Sequence, residues 1–447
     1  MKYGQQTTLA IQNFGQGKVP SSLVKAYAEV KKACIMAIQK TEKAFSPSVY
    51  ESILQAIDEI IAGQWDEEFV VPLQQGGAGT SLNMNINEVI ATRATEIIRQ
   101  TEPHHPSIHP LEDINRYQST NDTFPTAVTI CLLRDLYDLE NKVVKLQTML
   151  VEKETAFSLT LMMGRTELQD ALPIMLGQVF GSWAGMIERD RWRFHKLKDR
   201  IRLIALGGTA IGTGFPAPQA YVYAAEQFLR EITHLPLARS QNLPDAIAHH
   251  DDWSELAGGY LLLAKNLQKM ANDFLLYTSS FCKEMEHPEL QYGSTIMAKK
   301  SNPVLLEWVK GMCMRITHLA HLVEDYHSEG NLQLNAFVPF IVEAILEIAS
   351  LLHKSLDGIC RFLEIIEIRQ ETMNHHISHS QAVLNLLLPF LGYQKTKEIV
   401  STLPSISDPA EIQSWLLSRG IPKEIVSLLE PTNLTRLVKN PFKEKKR

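Results

Sequence analysis

A short run of residues between positions 293 and 303 carries side-chain types that bind and transform carboxylates. Ser294 supplies a hydroxyl, Lys300 a positive point charge, and Asn302 an amide that donates directed hydrogen bonds. Gly293 and the short polar residues after it favour a mobile loop over a helix interior. The same run also fits ordinary turn and cap chemistry before a helix that begins near Asn302 and Pro303. Its chemical meaning therefore depends on what accompanies it in the rest of the chain.

Several other polar and glycine-rich blocks precede this run in a fixed order. They lie at residues 3–14, 77–90, 109–110 with 118–122, 164–170 and 207–214. Together these blocks resemble the fumarase/aspartase superfamily, and the resemblance covers nearly the whole chain. The family's loop signature is roughly Gly-Ser-Ser-x-Met-Pro-x-Lys-x-Asn-Pro, from which this chain departs at Thr295 and Ala298. The Asn-Met-Asn-x-Asn-Glu block from Asn83 to Glu88 indicates the fumarase and aspartase branch.

The resemblance implies an anti elimination from a succinyl skeleton. A leaving group departs from one carbon and a proton from the next, which leaves fumarate. Removal of a proton beside a carboxylate builds an enediolate-like dianion, so several donors and a cation must already be in place. A serine can serve as the base only where its alkoxide is stabilised, for example by backbone N–H groups of a glycine-containing loop.

The family's residue roles carry over to the positions that match its motifs. The candidate general base is Ser294. One substrate carboxylate would be held by Lys300 and Asn302. The other carboxylate, where negative charge grows, would be held by Ser119, Thr120 and Thr166. The leaving-group side would be formed by Thr80, Ser81, Asn121 and Glu167.

Glu167 bears on the identity of the leaving group. It stands where many relatives have histidine and some aspartases have glutamine, and a carboxylate beside a dicarboxylate is costly unless it faces a cation or stays protonated. This favours an amino-substituted succinate, and the segment from Gln118 to Asp122 is closer to the aspartase variant. The first interpretation is therefore reversible elimination of ammonia from L-aspartate.

Three alternatives stay open. The chain could be a fumarate hydratase, a lyase that releases a larger amine from an N-substituted aspartate, or a non-catalytic scaffold protein. Substrate preference among the enzymes rests on a few contacts, so one sequence decides it poorly. Loss of Ser294, Lys300 or Asn302 would have favoured the scaffold, and all three are present.

Neither a metal nor an organic cofactor is required by the implied elimination, so we expect none. The histidines of His375-His376-x-x-His379 imitate a metal-ligand spacing, but without accompanying carboxylates they are expected on a helix face. Five cysteines lack a metal or redox spacing and indicate a reducing, cytoplasmic compartment. The first residues lack the apolar core of a signal peptide, so we expect no targeting segment.

Composition and charge limit the partners. The 447 residues carry a formal net charge of −6, so there is no basic surface for nucleic acid and no polybasic membrane patch. No run of roughly 18 apolar residues, the length that spans a bilayer, is present. We expect a small-molecule dicarboxylate as the partner and, as the resemblance implies, a homotetramer whose active sites are shared between subunits.

Long helices are the dominant pattern of the sequence. Apolar residues step by four and three from Leu132 to Leu150, and similar seams run from Leu256 to Phe274 and from Ile341 to Leu363. Two more helices are expected at about 170–203 and 303–326. Period-2 apolar runs are few, so strands are expected only as small ribbons in the first and last portions.

The predicted fold is all-α with three helical domains. The N-terminal domain is expected at residues 1–118, the central long-helix domain at 119–371 and a small C-terminal domain at 372–447, with breaks at Pro404, Gly420 and Pro422. In the family the central domain is an up-down bundle of five helices, and four such bundles form the tetramer. The motifs should lie in the connections between helices.

Overall fold

Helices account for most of the regular structure in the computed structural model, which describes residues 2–404, 408–430 and 433–434. This confirms the predicted all-α class. The first part of the chain forms four helices: α1 (Gln5–Phe14), α2 (Ser21–Glu42), α3 (Pro47–Ile61) and α4 (Thr80–Ile98). A π-helical turn at Pro110–Ile114 follows.

Five long helices of 25 to 37 residues dominate the middle of the chain. In chain order with the two shorter helices between them they are α5 (Thr120–Ala156), α6 (Leu176–Ile201), α7 (Gln219–Thr233), α8 (Leu243–Ala248), α9 (Asp251–Thr278), α10 (Val304–Ser328) and α11 (Val338–Ile365). Within the described ranges, no helix combines the length and the apolar character needed to cross a bilayer.

The three apolar seams lie inside these helices and are fully buried. On α5 the buried residues are Leu132, Leu136, Leu139, Val143, Leu146 and Leu150. On α9 they are Leu256, Tyr260, Leu263, Leu267, Met270 and Phe274, and on α11 they are Ile341, Ile345, Ile348, Leu352, Ile359 and Leu363. Burial of a whole seam stabilises each helix far more than its intrinsic propensity does.

The chain divides into two compact units. The first contains the described residues of 1–141, 190–265 and 312–354, and the second those of 142–189, 266–311 and 355–447. The divisions fall within α5, α6, α9, α10 and α11, so each unit includes part of every long helix. The domain boundaries predicted from the sequence follow chain order instead, and they remain a prediction.

Side chains join the long helices within each unit. In the first unit, His353 of α11 contacts Asp135 of α5 at 3.0 Å, and the rings of Phe194 and Tyr260 join α6 to α9. In the second unit, Phe274 of α9 packs against Phe362 of α11 with ring centroids 5.1 Å apart. These contacts join α5 to α11 and α6 to α9 in the first unit, and α9 to α11 in the second.

Three two-stranded ribbons connect the helices. Strand β1 (Leu161–Thr166) pairs antiparallel with β2 (Gln169–Met175), β3 (Leu203–Ile204) pairs parallel with β4 (Ala238–Arg239), and β5 (Met285–Glu286) pairs antiparallel with β6 (Glu367–Ile368). The described strands thus lie between residues 161 and 368, so their predicted location in the first and last portions was wrong.

The hairpin of β1 and β2 also corrects a helix boundary. A helix was predicted from about residue 170, but α6 begins at Leu176 because residues 169–175 form β2. The hairpin buries one apolar face against the helices that follow residue 370. Its buried residues and their partners are Leu161, Met163, Met175, Ile377, Val383 and Leu434.

Short helices complete the chain around a small apolar core. They are α12 (Gln370–His379), α13 (Leu388–Leu391), α14 (Tyr393–Thr402), α15 (Pro409–Ser418) and α16 (Lys423–Val426). As predicted, the breaks coincide with Pro404, Gly420 and Pro422. The core includes Leu387, Ile399, Leu416, Ile421 and Val426.

Candidate active site

The loop between β5 and α10 holds Ser294, the candidate base, in a turn of backbone donors. The hydroxyl oxygen Oγ of Ser294 accepts hydrogen bonds from the backbone N–H of Ile296 at 3.2 Å and of Met297 at 3.0 Å. Two N–H dipoles aimed at one oxygen stabilise negative charge on it. The loop therefore has the feature that a serine base requires.

Gly293 allows this loop to close on itself. A Cβ atom at residue 293 would overlap the carbonyl group of Lys300, so only glycine fits without a shift of the backbone. The side-chain amide Nδ2 of Asn302 donates to the carbonyl oxygen of Gly293 at 2.7 Å. The side chain of Lys300 is exposed and makes no ion pair with any described residue. Lys300 and Asn302 thus lie beside Ser294, and their hold on a carboxylate remains a prediction.

Thr166 and Glu167 lie at the tip of the β1–β2 hairpin. The two central residues of the turn, Glu167 and Leu168, have φ angles of 53° and 63°, in the left-handed region that side chains other than glycine rarely adopt. Such backbone costs about 1–3 kcal/mol per residue and concentrates at functional turns. Arg165 and Asp170 pair across the hairpin, with Nε and Oδ1 3.2 Å apart.

A cavity of about 540 Å³ adjoins the hairpin within the second unit. It is lined by Glu167 and by histidines and aromatic residues, namely His375, His376, His379, Tyr277 and Phe281. The three histidines lie on α12, as predicted, with the rings of His375 and His379 3.9 Å apart. No set of three or more His, Cys, Asp or Glu side chains in the described part of the chain could hold a metal ion.

Thr80, Ser81, Ser119, Thr120 and Asn121 lie at the starts of α4 and α5. The two starts are held close together because Gly79 has no side chain, and a Cβ there would lie 2.7 Å from the ring of Phe124. Asn83 Nδ2 on α4 donates to Thr120 Oγ1 at 3.0 Å. The first unit therefore brings these five predicted residues into one region.

Asp122 ties this region to the glycine-rich segment at 207–214. Its buried carboxylate accepts hydrogen bonds from the backbone N–H groups of Ser119 at 3.0 Å, Gly207 at 3.1 Å and Thr209 at 3.0 Å. Burial raises the pKa of Asp122 from 3.8 to about 6, although the three N–H donors act in the opposite direction. Asn121 Nδ2 donates to the carbonyl oxygen of Ala210 at 2.8 Å.

Lys31 is a buried cation beside the same region that the sequence did not single out. Its Nζ donates to Asn115 Oδ1 at 3.0 Å and to Gln118 Oε1 at 2.9 Å, next to Ser119 in the chain. Burial lowers the pKa of Lys31 to about 7, against the attraction of Cys34 and Asp122. The sequence signal for this burial was a lysine surrounded by apolar residues on one helical face. It is a weak signal, because most such lysines extend their ammonium group to solvent.

The ten predicted residues fall into two groups of five. The first unit contains Thr80, Ser81, Ser119, Thr120 and Asn121. The second contains Thr166, Glu167, Ser294, Lys300 and Asn302. Within the second group, Ser294 and Asn302 are joined through Gly293, whereas Thr166 and Glu167 lie on the separate hairpin. The sequence also did not single out Arg165 and Glu284, which form an ion pair below that hairpin.

Comparison with known proteins identifies relatives over the whole length. The sequence model of a family described as lyase matches residues 2–317. The chain is 32% identical to the aspartate ammonia-lyase of Bacillus subtilis over 446 residues, covering 97% of this chain and 92% of that protein. It is 34% identical to a class II fumarate hydratase of Staphylococcus aureus, covering 89% of this chain and 87% of that protein.

Solved structures with the same fold carry related names. A fumarate lyase:delta crystallin from Brucella melitensis, determined with bound cobalt, has a TM-score of 0.89 and 34% identity, covering 98% of this chain and 96% of that one. A class II fumarase from Schistosoma mansoni has a TM-score of 0.88 and 25% identity, covering 97% and 96%. These similarities confirm the family assigned from the motifs.

The buried Lys31 predicts a dependence of stability on pH. Folded Lys31 loses its proton near pH 7, whereas an unfolded lysine keeps it to about pH 10.5, so folding releases a proton in this window. The free energy of unfolding contributed by Lys31 should therefore rise with pH between these values, by at most about 1.4 kcal/mol per pH unit. The side chain in Lys31→Met does not titrate. In urea unfolding, the free energy of unfolding of wild type minus that of Lys31→Met should therefore increase from pH 7 to pH 9. The control is Lys32→Met, which removes a partly exposed ion pair with Asp58 and should change the free energy of unfolding by the same amount at both pH values. If the difference between wild type and Lys31→Met is also the same at both pH values, the prediction is wrong.

Gly293 predicts a specific loss of loop structure. Gly293→Ala should prevent the close approach to Lys300 and release the N–H groups of Ile296 and Met297 from Ser294. We expect faster amide hydrogen exchange at residues 293–303, measured by mass spectrometry. The control Gly311→Ala, on α10 with open space around the added methyl group, should leave exchange in this loop unchanged. Unchanged exchange in Gly293→Ala would show that the loop tolerates a side chain there.

Proposed function

The chain belongs to the lyase family that includes aspartate ammonia-lyases and class II fumarases, and we propose that it catalyses the reversible elimination of ammonia from L-aspartate. The products are fumarate and ammonium. The observation that carries the proposal is the pair of backbone N–H donors on Ser294 Oγ within a loop that only glycine can close. A fumarate hydratase that acts on L-malate is the second candidate, because its chemistry uses the same base and carboxylate groups.

Ser294 takes the proton from the carbon next to a carboxylate. The electron pair of that C–H bond forms the C=C bond of fumarate, and the C–N bond on the adjacent carbon breaks in the anti sense. The electron pair of the C–N bond leaves with nitrogen as ammonia, which takes up a proton to become ammonium as Ser294 gives up the one it accepted. The N–H groups of Ile296 and Met297 stabilise Ser294 when it is deprotonated before the reaction. They are held in place before substrate arrives, so no reorganisation is needed at that moment.

Lys300 and Asn302 bind one of the two substrate carboxylates, the one on which charge does not grow. Lys300 is free of internal ion pairs among the described residues, so its ammonium is available to an anion. Asn302 uses one hydrogen of Nδ2 to close the loop on Gly293, and the other hydrogen remains for the substrate. The same side chain can therefore maintain the loop and orient the carboxylate.

Ser119 and Thr120 supply donors for the second carboxylate, together with Thr166. Ser119 Oγ accepts from Asn121 N at 3.2 Å, and Thr120 Oγ1 accepts from Asn83 Nδ2. These contacts occupy acceptor sites on the two oxygens and leave each hydroxyl hydrogen free to be donated outward. Such donors stabilise the charge that grows on this carboxylate during proton removal.

The leaving-group side supplies several hydrogen-bond acceptors. Thr80 donates its hydroxyl hydrogen to Gly77 O at 2.8 Å, which leaves its oxygen lone pairs available, and Asn121 Nδ2 is bound to Ala210 O. The carboxylate of Glu167 adds two further acceptors, while Ser81 contributes a hydroxyl. A substrate ammonium, which has only hydrogens to donate, matches this set better than a hydroxyl group does.

A homotetramer completes the proposed site. The predicted residues are divided between the two units, and in the proposal one active site takes its loops from different subunits. Several large apolar side chains on the long helices are exposed in the single chain, and their burial would favour association. They include Leu262 and Leu276 on α9 and Trp308 and Met314 on α10.

The proposed location is the cytoplasm. None of the five cysteines forms a disulfide, and burial raises the pKa of four of them, Cys34, Cys131, Cys282 and Cys360, to about 11 or 12. Cysteines that stay protonated and form no disulfide are typical of proteins in a reducing compartment.

Ser294→Ala tests the base directly. Fumarate formation is followed by ultraviolet absorbance with L-aspartate and L-malate in parallel, and we expect kcat with L-aspartate to fall by about 10²–10⁴-fold. Ser301→Ala, in the same exposed loop, should retain wild-type kcat. A wild-type rate in Ser294→Ala excludes Ser294 as the base, whereas turnover of L-malate alone by the unmodified protein assigns the chain to the hydratases.

Glu167→Gln tests the choice of leaving group. Removal of the carboxylate charge should reduce kcat/KM for L-aspartate by about tenfold, corresponding to about 1.4 kcal/mol of lost attraction for the ammonium. The ratio of kcat/KM values for L-aspartate and L-malate is the quantity to compare. If this ratio is the same in wild type and variant, Glu167 does not distinguish the two leaving groups.

A further inference from the structure

Glu284 is a buried carboxylate in the second unit outside the predicted site. Its side chain is fully buried, and its two oxygens accept hydrogen bonds from three nitrogen atoms. A carboxylate removed from water stays ionised only where hydrogen-bond donors occupy its lone pairs and a positive group balances its charge. The positions of these donors show which segments Glu284 holds together.

The first segment is the hairpin that carries Thr166 and Glu167. Arg165 directs its two terminal nitrogens at Glu284, with Nη1 to Oε2 and Nη2 to Oε1 both at 2.8 Å. The guanidinium Nε also lies 3.2 Å from Asp170 on the opposite strand. This paired, planar arrangement fixes the orientation of Arg165, and with it the strand that ends at Thr166.

The second segment leads to Ser294. The backbone N–H of Glu284 donates to Tyr277 O at 3.0 Å, at the end of α9, and the backbone N–H of Arg369 donates to Glu284 O at 3.0 Å. The next two residues form β5 against β6. The chain then continues directly into the loop with Gly293 and Ser294, so Glu284 is anchored at the base of that loop by both backbone and side chain.

The third segment is α12. His376 Nδ1 lies 2.7 Å from Glu284 Oε1, and because a carboxylate only accepts, Nδ1 carries a hydrogen and donates it. Arg165 Nη2 is farther from His376 Nδ1, at 3.3 Å, and both atoms are donors toward Glu284. His376 therefore completes the set of donors and joins α12 to the other two segments.

We propose that Glu284, with Arg165 and His376, positions two parts of the active site on one buried anchor. The parts are the hairpin with Thr166 and Glu167 and the loop with Ser294. Glu284 does not touch the substrate in this arrangement; it acts through Arg165 on the hairpin and through its own backbone on the loop. The inference rests on the proposed function for the roles of Thr166, Glu167 and Ser294, but not for the contacts themselves.

A matched pair of variants separates this role from a general contribution to stability. Glu284→Gln keeps the shape of the side chain but loses the charge and leaves one terminal group as a donor facing other donors. The control is Glu286→Gln, two residues away on β5. Glu286 forms a half-exposed ion pair with Arg369 at 2.9 Å and belongs to none of the three contacts. His376→Gln is the milder variant for the case in which Glu284→Gln does not fold.

Two measurements are made on the full chain. Amide hydrogen exchange should become faster at residues 161–175 and 287–303 in Glu284→Gln, with the helical seams protected as in wild type. With L-aspartate, kcat should fall by about 10- to 100-fold while KM changes little, because small misplacement of catalytic groups affects the chemical step most. His376→Gln should shift both measurements in the same direction by a smaller amount, and Glu286→Gln should match wild type.

Different outcomes address the two proposals separately. If folded Glu284→Gln has wild-type exchange in both segments and wild-type kcat, the positioning role is wrong. It is also wrong if exchange accelerates uniformly along the chain, since that indicates a loss of global stability alone. If the unmodified protein turns over neither L-aspartate nor L-malate, the proposed function fails, while exchange in the two segments still decides the role of Glu284.

Discussion

The requirement that a buried carboxylate be fully hydrogen-bonded holds together, in each unit, the segments that carry the predicted site residues. Asp122 in the first unit is satisfied by three backbone N–H groups, which come from the start of α5 and from the segment at 207–209. Glu284 in the second unit is satisfied by Arg165 and His376. An unpaired buried charge costs several kcal/mol, so the donors of either carboxylate cannot move away without a large loss of stability. The loops that supply these donors are consequently held in one arrangement.

The long helices provide the framework to which these anchors are attached. Their seams bury uninterrupted rows of apolar side chains, which leaves no position for reactive polar groups along the middle of a seam. The predicted site residues lie instead at helix starts and in connections, where glycine permits close approach. Gly79 brings the start of α4 onto Phe124 of α5, and Gly293 closes the loop of Ser294 on Lys300. The helices thus provide the framework, and the loops that pack closely against them carry the predicted site residues.

The sequence was sufficient for the helices but not for the ribbons or the buried charges. Seams such as Leu132 to Leu150 have a period that only a helix satisfies, so their burial followed from spacing alone. The hairpin at 161–175 was missed because Leu161, Met162 and Met163 are not strand-forming β-branched residues and Pro173 interrupts the pattern. Its strand structure depends on packing against Ile377 and Val383, more than 200 residues away. The motif residues were located by resemblance, whereas the partners of Lys31, Asp122 and Glu284 come from segments distant in sequence, which no local pattern reveals.

The hydrogen-bond donors and acceptors on the leaving-group side bear on whether water or ammonia is eliminated in the proposed reaction. A hydroxyl group leaves as water only when a proton reaches its oxygen, so a hydratase needs a donor at that position. An ammonium group already carries its protons and needs acceptors that hold it until the C–N bond breaks. Thr80 donates its hydroxyl hydrogen to Gly77 O, and Asn121 donates one amide hydrogen to Ala210 O, so the oxygen of each side chain can accept a hydrogen bond in the proposed site. Glu167 adds a carboxylate at the strained turn of the β1–β2 hairpin. Arg165 joins that hairpin to Glu284, and the backbone of Glu284 precedes the loop with Ser294. In the proposed function, the hydroxyl that removes the proton and the carboxylate that faces the amine therefore share one buried anchor.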